Sequence, residues 1–136
     1  TVKRPYTDSL IQEFAADCKV TKVGSSRLVV IAEEKLRGIM PNRDELRSIL
    51  APFAASEPDV VALGCTHFPL LRQEISEVLP SITWIDSGDA IAKRVLHYSL
   101  TPTQSEGDGS AFFTTQDLEL ESLRGFGLQS LVYLPI

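Results

Sequence analysis

The sequence predicts an α/β fold in which a mostly parallel sheet is flanked by helices on both faces. Segments typical of strands alternate with segments typical of helices along almost the whole chain, as βαβ units require. Residues 60–63 (VVAL) form a short, continuous apolar run that starts with two β-branched side chains. Such runs are typical of parallel strands that are covered on both faces.

The first elements are placed by helix caps and hydrophobic spacing. A helix is predicted from Thr7 or Asp8, either of which would cap it, to Asp17. Residues 18–24 (CKVTKVG) are typical of a short strand closed by a glycine. One of two adjacent serines then caps the next helix, over residues 25–37.

The remaining elements are placed by turn residues and by the same periodicity. Gly38 ends the second helix, and residues 44–54 form a third with one apolar face. Pro69 opens a later helix, because its fixed φ suits a first helical turn. The predicted order of the second half is a strand at 60–63, a helix at 69–79, a strand at 81–86, a helix at 87–100, a polar loop at 101–110, a strand at 111–115, a helix from about 116 and a strand at 128–134.

Composition narrows the classes of function. The chain has 136 residues, of which 43% are hydrophobic and 23% charged, as in a globular domain. Its net charge of −5 and scattered basic residues argue against nucleic-acid binding. It has no apolar run of membrane-spanning length and no signal peptide at its start. Two cysteines, Cys18 and Cys65, favour a reducing cytoplasm over a disulfide framework.

Three predicted strand ends carry small or polar residues. Ligands bind outside the carboxyl ends of strands in sheets of this kind, where loops lead into helices. The three motifs are GSS at 24–26, GCTH at 64–67 and DSG at 86–88. This placement raises a functional interpretation for each of the three motifs, and GCTH is the one that combines a thiol with an imidazole.

The GCTH motif combines a thiol, a hydroxyl and an imidazole within one short loop. Cys65 would lie at the start of a helix, whose unpaired N–H groups and dipole stabilise a thiolate. His67 would supply positive charge or exchange a proton. Thr66 offers a hydroxyl and a backbone N–H, and Gly64 allows close approach of a ligand. The motif therefore predicts an anion-binding pocket with a reactive sulfur.

The residues alone leave a second interpretation open. Unpaired cysteines are among the most buried side chains, and a cysteine at a strand end is often inert packing. Pattern and chemistry do not decide between this interpretation and a reactive Cys65. A zinc site is not predicted, since no second Cys/His pair completes the ligand set that Cys65 and His67 would begin.

Longer strings around the motif resemble a known family. VVALGCTHFPLL (60–71) and WIDSGDAIAKR (84–94) resemble the C-terminal half of bacterial glutamate racemase, in the aspartate/glutamate racemase family. The opening TVKRPY and residues 18–38 are also similar to that family. The resemblance implies a cofactor-independent enzyme of two α/β lobes, each contributing one cysteine. Residues 1–86 would be the second lobe, and residues 87–136 a helix and return segment that packs on the first lobe.

The resemblance also assigns roles to individual residues. It implies that Cys65 is the catalytic cysteine of the second lobe, and that Thr66 and His67 bind substrate and help set its protonation. Thr1 matches a threonine near the substrate carboxylate. Glu33 matches an acidic residue close to the second cysteine; the alternative for Glu33 is a solvated position on a helix face.

The implied reaction interconverts L- and D-glutamate with two cysteines on opposite faces of the substrate, supplying D-glutamate for peptidoglycan. No sequence before Thr1 supplies the first lobe here, so the chain would hold half of the site and be inactive alone. The expected partners are glutamate and that first lobe, with loose C-terminal strands able to pair between copies.

Two alternative functions remain open. One is a racemase for aspartate or another amino acid, whose relatives carry Glu at the position of His67. The other is a non-catalytic lobe that binds a carboxylate or a protein.

Overall fold

The computed structural model describes residues 2–98, 109–114 and 118–135. Helices and strands alternate in nearly the predicted order. The α-helices and strands are α1 (Pro5–Phe14), α2 (Ser26–Leu36), α3 (Arg43–Ser56), β1 (Val60–Ala62), α4 (Arg72–Val78), β2 (Thr83–Ile85), α5 (Gly88–Tyr98), β3 (Gly109–Phe113) and β4 (Leu128–Tyr133). Two 3₁₀ helices, Phe68–Leu71 and Leu120–Phe126, precede α4 and β4. Most of the predicted loop at 101–110 and the start of the helix from about 116 lie outside the described residues.

The first helix begins earlier than its predicted cap. Pro5 opens α1, and the capping position is held by Arg4 without a side-chain hydrogen bond. A proline is pre-organised for a first helical turn and loses no N–H there, so it sets the start of the helix. The predicted cap at Thr7 or Asp8 is therefore wrong, and α1 ends at Phe14 before it reaches Asp17.

The strand predicted at residues 18–24 is wrong. This segment is a turn followed by irregular backbone, in which Cys18 is exposed and Val20 is 43% exposed. A strand needs a neighbour that completes its ladder of hydrogen bonds, and both described sheets are formed by other segments. The residue pattern therefore suggested a strand here, but it does not supply the neighbouring strand that pairing requires.

The predicted boundaries of α2 and α3 are set by local hydrogen bonds. Ser25 caps α2, as predicted, with its Oγ accepting from the Leu28 N–H at 3.2 Å. Gly38 follows the helix with φ of 83°, a conformation that favours glycine. Asn42 caps α3 by accepting from two backbone N–H groups at 2.9 and 3.0 Å.

The strands form two separate parallel pairs. β1 pairs with β2 in a register that sets Val61 opposite Trp84, and β3 pairs with β4. The predicted α/β class with parallel strands is confirmed. Val61 and Trp84 are buried on one face of the first pair, whereas Val60 and Ile85 on the other face are 51% and 49% exposed. Helices of the described segments therefore cover one face of this pair, and the second face is open.

One hydrophobic core joins the covered face of β1 and β2 to α2, α3 and α4. Its buried residues are Leu28, Ile31, Ala32, Leu46, Leu50, Val61, Leu63, Leu71, Ile75 and Trp84. In contrast, α5 buries none of its residues. None of the helices in the described part of the chain has the length and apolar character needed to cross a membrane.

A bidentate ion pair adds a polar link between α2 and α3. The Arg27 Nε and Nη2 atoms donate to the two carboxylate oxygens of Glu45 at 2.6 and 3.1 Å. The hydrogen bond from Arg27 lowers the pKa of the Glu45 carboxyl, although exposure to solvent weakens the pair. The position of α2 therefore depends mainly on its apolar stripe.

Replacing Ile31 with Ala tests the role of that stripe. Ile31 is 1% exposed, so Ile31→Ala should lower the free energy of unfolding by about 2–5 kcal/mol through lost burial and a residual cavity. Val30 on the same helix is 44% exposed, and the matched Val30→Ala change should alter stability by about 0.5 kcal/mol or less. Urea denaturation followed by circular dichroism measures both; equal losses would contradict this packing.

Candidate active site

The candidate site lies at the carboxyl end of β1, where the sequence predicts a ligand cleft. The Leu63 N–H donates to the Ile85 carbonyl oxygen at 2.8 Å, which extends the pairing with β2 beyond Ala62. Residues 64–67 (GCTH) then turn into the 3₁₀ helix Phe68–Leu71. The thiol, hydroxyl and imidazole of this motif therefore lie on one tight turn at the end of a paired strand.

The helix after the turn differs from the one predicted. A single 3₁₀ turn, Phe68–Leu71, separates the motif from α4, and His67 precedes it with a helical backbone (φ −81°, ψ −31°). Two hydrogen bonds close the turn: the Phe68 N–H donates to the Cys65 carbonyl at 3.2 Å, and the Leu70 N–H to the His67 carbonyl at 3.1 Å. A short 3₁₀ turn supplies less dipole than the long α-helix expected after Cys65, so charge stabilisation must rest more on neighbouring side chains.

The imidazole of His67 contacts both other polar side chains of the motif. The Cys65 Sγ lies 3.8 Å from Nδ1 of His67, within hydrogen-bonding range for sulfur. The Thr66 Oγ1 lies 3.5 Å from the same nitrogen. Cys65 and His67 are half-buried and Thr66 is exposed, so the sulfur is neither sealed in the core nor fully solvated. This placement disfavours the interpretation of Cys65 as inert core packing.

Glu33 reaches the opposite nitrogen of the same ring. Its Oε1 lies 3.3 Å from His67 Nε2, and its other oxygen lies 3.8 Å from an Arg37 nitrogen. A carboxylate at Nε2 favours the tautomer that carries its proton there, and in that tautomer Nδ1 can accept from the thiol or from the Thr66 hydroxyl. Thiol, imidazole and carboxylate thus form a connected series, the arrangement by which enzymes activate a sulfur nucleophile or base.

The DSG and GSS motifs make local structural contacts, and GSS does not follow a strand in the described structure. The Asp86 Oδ1 accepts from the Gly88 N–H at 2.8 Å, and its Oδ2 lies 3.2 Å from Arg72 Nη1. Ser25 of the GSS motif caps α2, as described above. Thr1 lies outside the described residues. Among the residues that the structure describes, no group of three or more His, Cys, Asp or Glu side chains is placed to hold a metal ion.

Sequence reasoning missed a polar contact next to the motif. The Lys35 Nζ donates to the Leu70 carbonyl oxygen at 2.8 Å and lies 2.7 Å from Glu74 Oε1. The signal in the sequence was a charged residue seven positions after Leu28, on the face that continues the apolar stripe of α2. Periodicity shows that such a residue is unusual but does not reveal its partner.

The fold and site define an α/β lobe that presents a histidine-paired cysteine at a strand end. No protein-family model matches the chain. Among curated proteins, the chain is 43% identical to a glutamate racemase of Klebsiella pneumoniae (strain 342). This match covers 100% of the chain and 52% of the relative. It is 49% identical to a glutamate racemase of Shewanella piezotolerans over 87% of the chain and 47% of the relative.

Solved structures agree with this similarity. The chain superposes on Escherichia coli glutamate racemase, crystallised with L-glutamate and the activator UDP-MurNAc-Ala, with a TM-score of 0.84. That match has 39% identity and covers 99% of this chain and 55% of the relative. A Bacillus anthracis glutamate racemase isoform, at 20% identity and a TM-score of 0.68, shows similarity of fold.

The chain is therefore homologous to glutamate racemases, and the resemblance predicted from its sequence is confirmed. It spans about half the length of the curated relatives it matches, in keeping with the C-terminal half that its motifs indicate. The proteins with which it shares this ancestry are isomerases.

Removing the carboxylate of Glu33 should change the tautomer of His67. In Glu33→Ala, the neutral imidazole should lose its preference for a proton on Nε2, because the acceptor at 3.3 Å is gone. Nitrogen chemical shifts of the ring measure this, with His97 as a reference in the same sample. The matched control is Glu34→Ala, whose carboxylate pairs with Arg27. Unchanged shifts in Glu33→Ala, or equal changes in both variants, would contradict the contact.

Proposed function

We propose that the chain is the second lobe of a glutamate racemase that interconverts L- and D-glutamate without a cofactor. The observation that carries this proposal is the 3.8 Å approach of Cys65 Sγ to His67 Nδ1 at the end of β1. It occurs in a chain that is homologous to glutamate racemases over its whole length. The named relatives support the reaction, and the contact supports the role of Cys65 in it.

The chemistry of the substrate explains the need for a cysteine. The Cα–H of an amino acid is a very weak acid, so its base must be deprotonated and held in contact with it, and a cysteine thiolate meets both conditions. In our proposal, His67 accepts the Cys65 proton at Nδ1 while Glu33 holds the proton on Nε2. The Cys65 thiolate then takes the Cα proton from one face, and a cysteine of the first lobe returns a proton to the other. The roles exchange in the reverse direction.

Fixed donors must stabilise the charge that develops on the substrate, because no cofactor delocalises it. The exposed hydroxyl and backbone N–H of Thr66 are suited to a carboxylate. We assign Thr66 and His67 to substrate binding, together with Thr1 on the basis of resemblance. The product D-glutamate would serve peptidoglycan synthesis, and the activator UDP-MurNAc-Ala of the solved relative supports that role.

Exposed apolar surface supports a division of the chain at residue 86. We propose that residues 1–86 form the second lobe, with the core and Cys65, and that 87–136 pack on the first lobe. Large apolar side chains of α5 are exposed, which is typical of a surface that another part of an assembly covers. They are Ile91, Val95, Leu96 and Tyr98, at 57–70% exposure. A second copy of the chain is the alternative occupant, which would produce a homo-oligomer.

Two other functions remain as alternatives to test. A racemase for aspartate is disfavoured by His67, because the relatives with that activity carry Glu at this position. A non-catalytic lobe that binds a carboxylate or a protein is the second alternative, since Cys65 is the one strand-end cysteine among the described residues.

An assay of D-glutamate formation separates these functions. The full-length enzyme that contains this lobe should convert L-glutamate in preference to L-aspartate. The isolated chain should racemise glutamate slowly or not at all, because it lacks the second base. A coupled chiral assay measures both, with the Cys18→Ser full-length enzyme as an active control. Full activity of the isolated chain would refute the two-lobe assignment, and preferred turnover of aspartate would favour the other racemase.

A further inference from the structure

Lys35 occupies an unusual position on α2. The buried residues Leu28, Ile31 and Ala32 form the apolar stripe of this helix, and Lys35 lies one turn further along the same face. Its side chain is 29% exposed, and that of its partner Glu74 is 15% exposed. A charge at such a position is costly unless it is paired and hydrogen-bonded. Packing alone would favour an apolar residue here.

The partners of Lys35 lie on the two elements that follow the cysteine loop. The ammonium donates to the carbonyl of Leu70, in the 3₁₀ helix, at 2.8 Å. It also lies 2.7 and 2.8 Å from the two carboxylate oxygens of Glu74, in α4. One side chain of α2 therefore fixes both the end of the 3₁₀ turn and the start of the next helix.

A short series of hydrogen bonds connects this clamp to the candidate site. The Leu70 carbonyl accepts from Lys35, while the Leu70 N–H donates to the His67 carbonyl at 3.1 Å. The ring of His67 in turn contacts Cys65 and Glu33. Since α2 also carries Glu33, the helix holds the turn at two points: the backbone through Lys35 and the imidazole through Glu33.

We propose that Lys35 is a positioning residue for the Cys65–His67 pair. Its contacts with Leu70 and Glu74 hold the 3₁₀ turn so that one ring nitrogen faces the thiol and the other faces Glu33. Lys35 acts through His67 and touches no reacting atom. The consequence for racemisation rests on the proposed function, but the effect on the thiol is independent of it.

Alkylation of Cys65 in the 136-residue chain tests this role. Lys35→Met keeps the apolar stem but removes the ammonium, and should slow the reaction of Cys65 with iodoacetamide by about three- to tenfold, the range expected for coupled neighbours. Exposed Cys18 in the same sample provides the reference rate by mass spectrometry. Lys35→Arg should restore most of the rate. Arg47→Met, which removes a local surface pair with Asp44, should leave it unchanged.

Repeating the Cys65 alkylation measurement in a His67→Ala variant separates a positioning role of Lys35 from general destabilisation of the fold. In His67→Ala, the change Lys35→Met should have no further effect on Cys65, because the path through the imidazole is already lost. Should Lys35→Met fail to fold, Glu74→Gln probes the same clamp and should slow alkylation in the same His67-dependent way. An unchanged Cys65 rate, or a loss that persists in His67→Ala, would overturn the proposal.

Kinetics of the full-length enzyme provide a further test. Lys35→Met should lower kcat more than it raises KM. Absence of racemase activity in the unmutated enzyme would refute the proposed function alone.

Discussion

The parallel pairing of β1 with β2 is the constraint on which the rest of this lobe depends. It sets Val61 opposite Trp84 on the covered face, and both side chains are buried against the helices. A shift of one residue would turn these side chains to the open face and expose the core. The same register fixes where β1 ends, and so where the turn that carries Cys65 begins. Packing and chemistry are thus determined by one set of backbone hydrogen bonds.

Helix α2 supplies polar side chains that complete the candidate site at the end of β1. Its apolar stripe anchors it on the covered face, and its C-terminal half then supplies two polar groups to the turn beyond β1. Glu33 meets the imidazole of His67, and Lys35 meets the backbone at Leu70. A thiol near a histidine is common, but here a carboxylate also lies at the opposite ring nitrogen, so the imidazole is held in one orientation between them. The energy of core burial therefore supports the geometry of the candidate site.

Local signals predicted much of this structure, and partners distant in sequence account for most of the rest. The cap at Ser25, the stop at Gly38 and the strand before GCTH depend on neighbouring residues, and all three are present. The strand at 18–24 failed because pairing requires a neighbour that periodicity cannot supply. The sequence placed Cys65 and His67 on one loop, whereas the contact between Glu33 and His67 depends on how α2 packs. Resemblance, not spacing, suggested Glu33.

In the proposed reaction, Cys65 is one of two bases that exchange the Cα proton of glutamate. The most direct measurement is the incorporation of solvent deuterium at Cα during incubation of L- or D-glutamate in D₂O with the full-length enzyme, followed by mass spectrometry and chiral separation. The unmutated enzyme should place deuterium at Cα of the product enantiomer, and Cys65→Ala should abolish interconversion. Unimpaired interconversion by Cys65→Ala would contradict this role of Cys65.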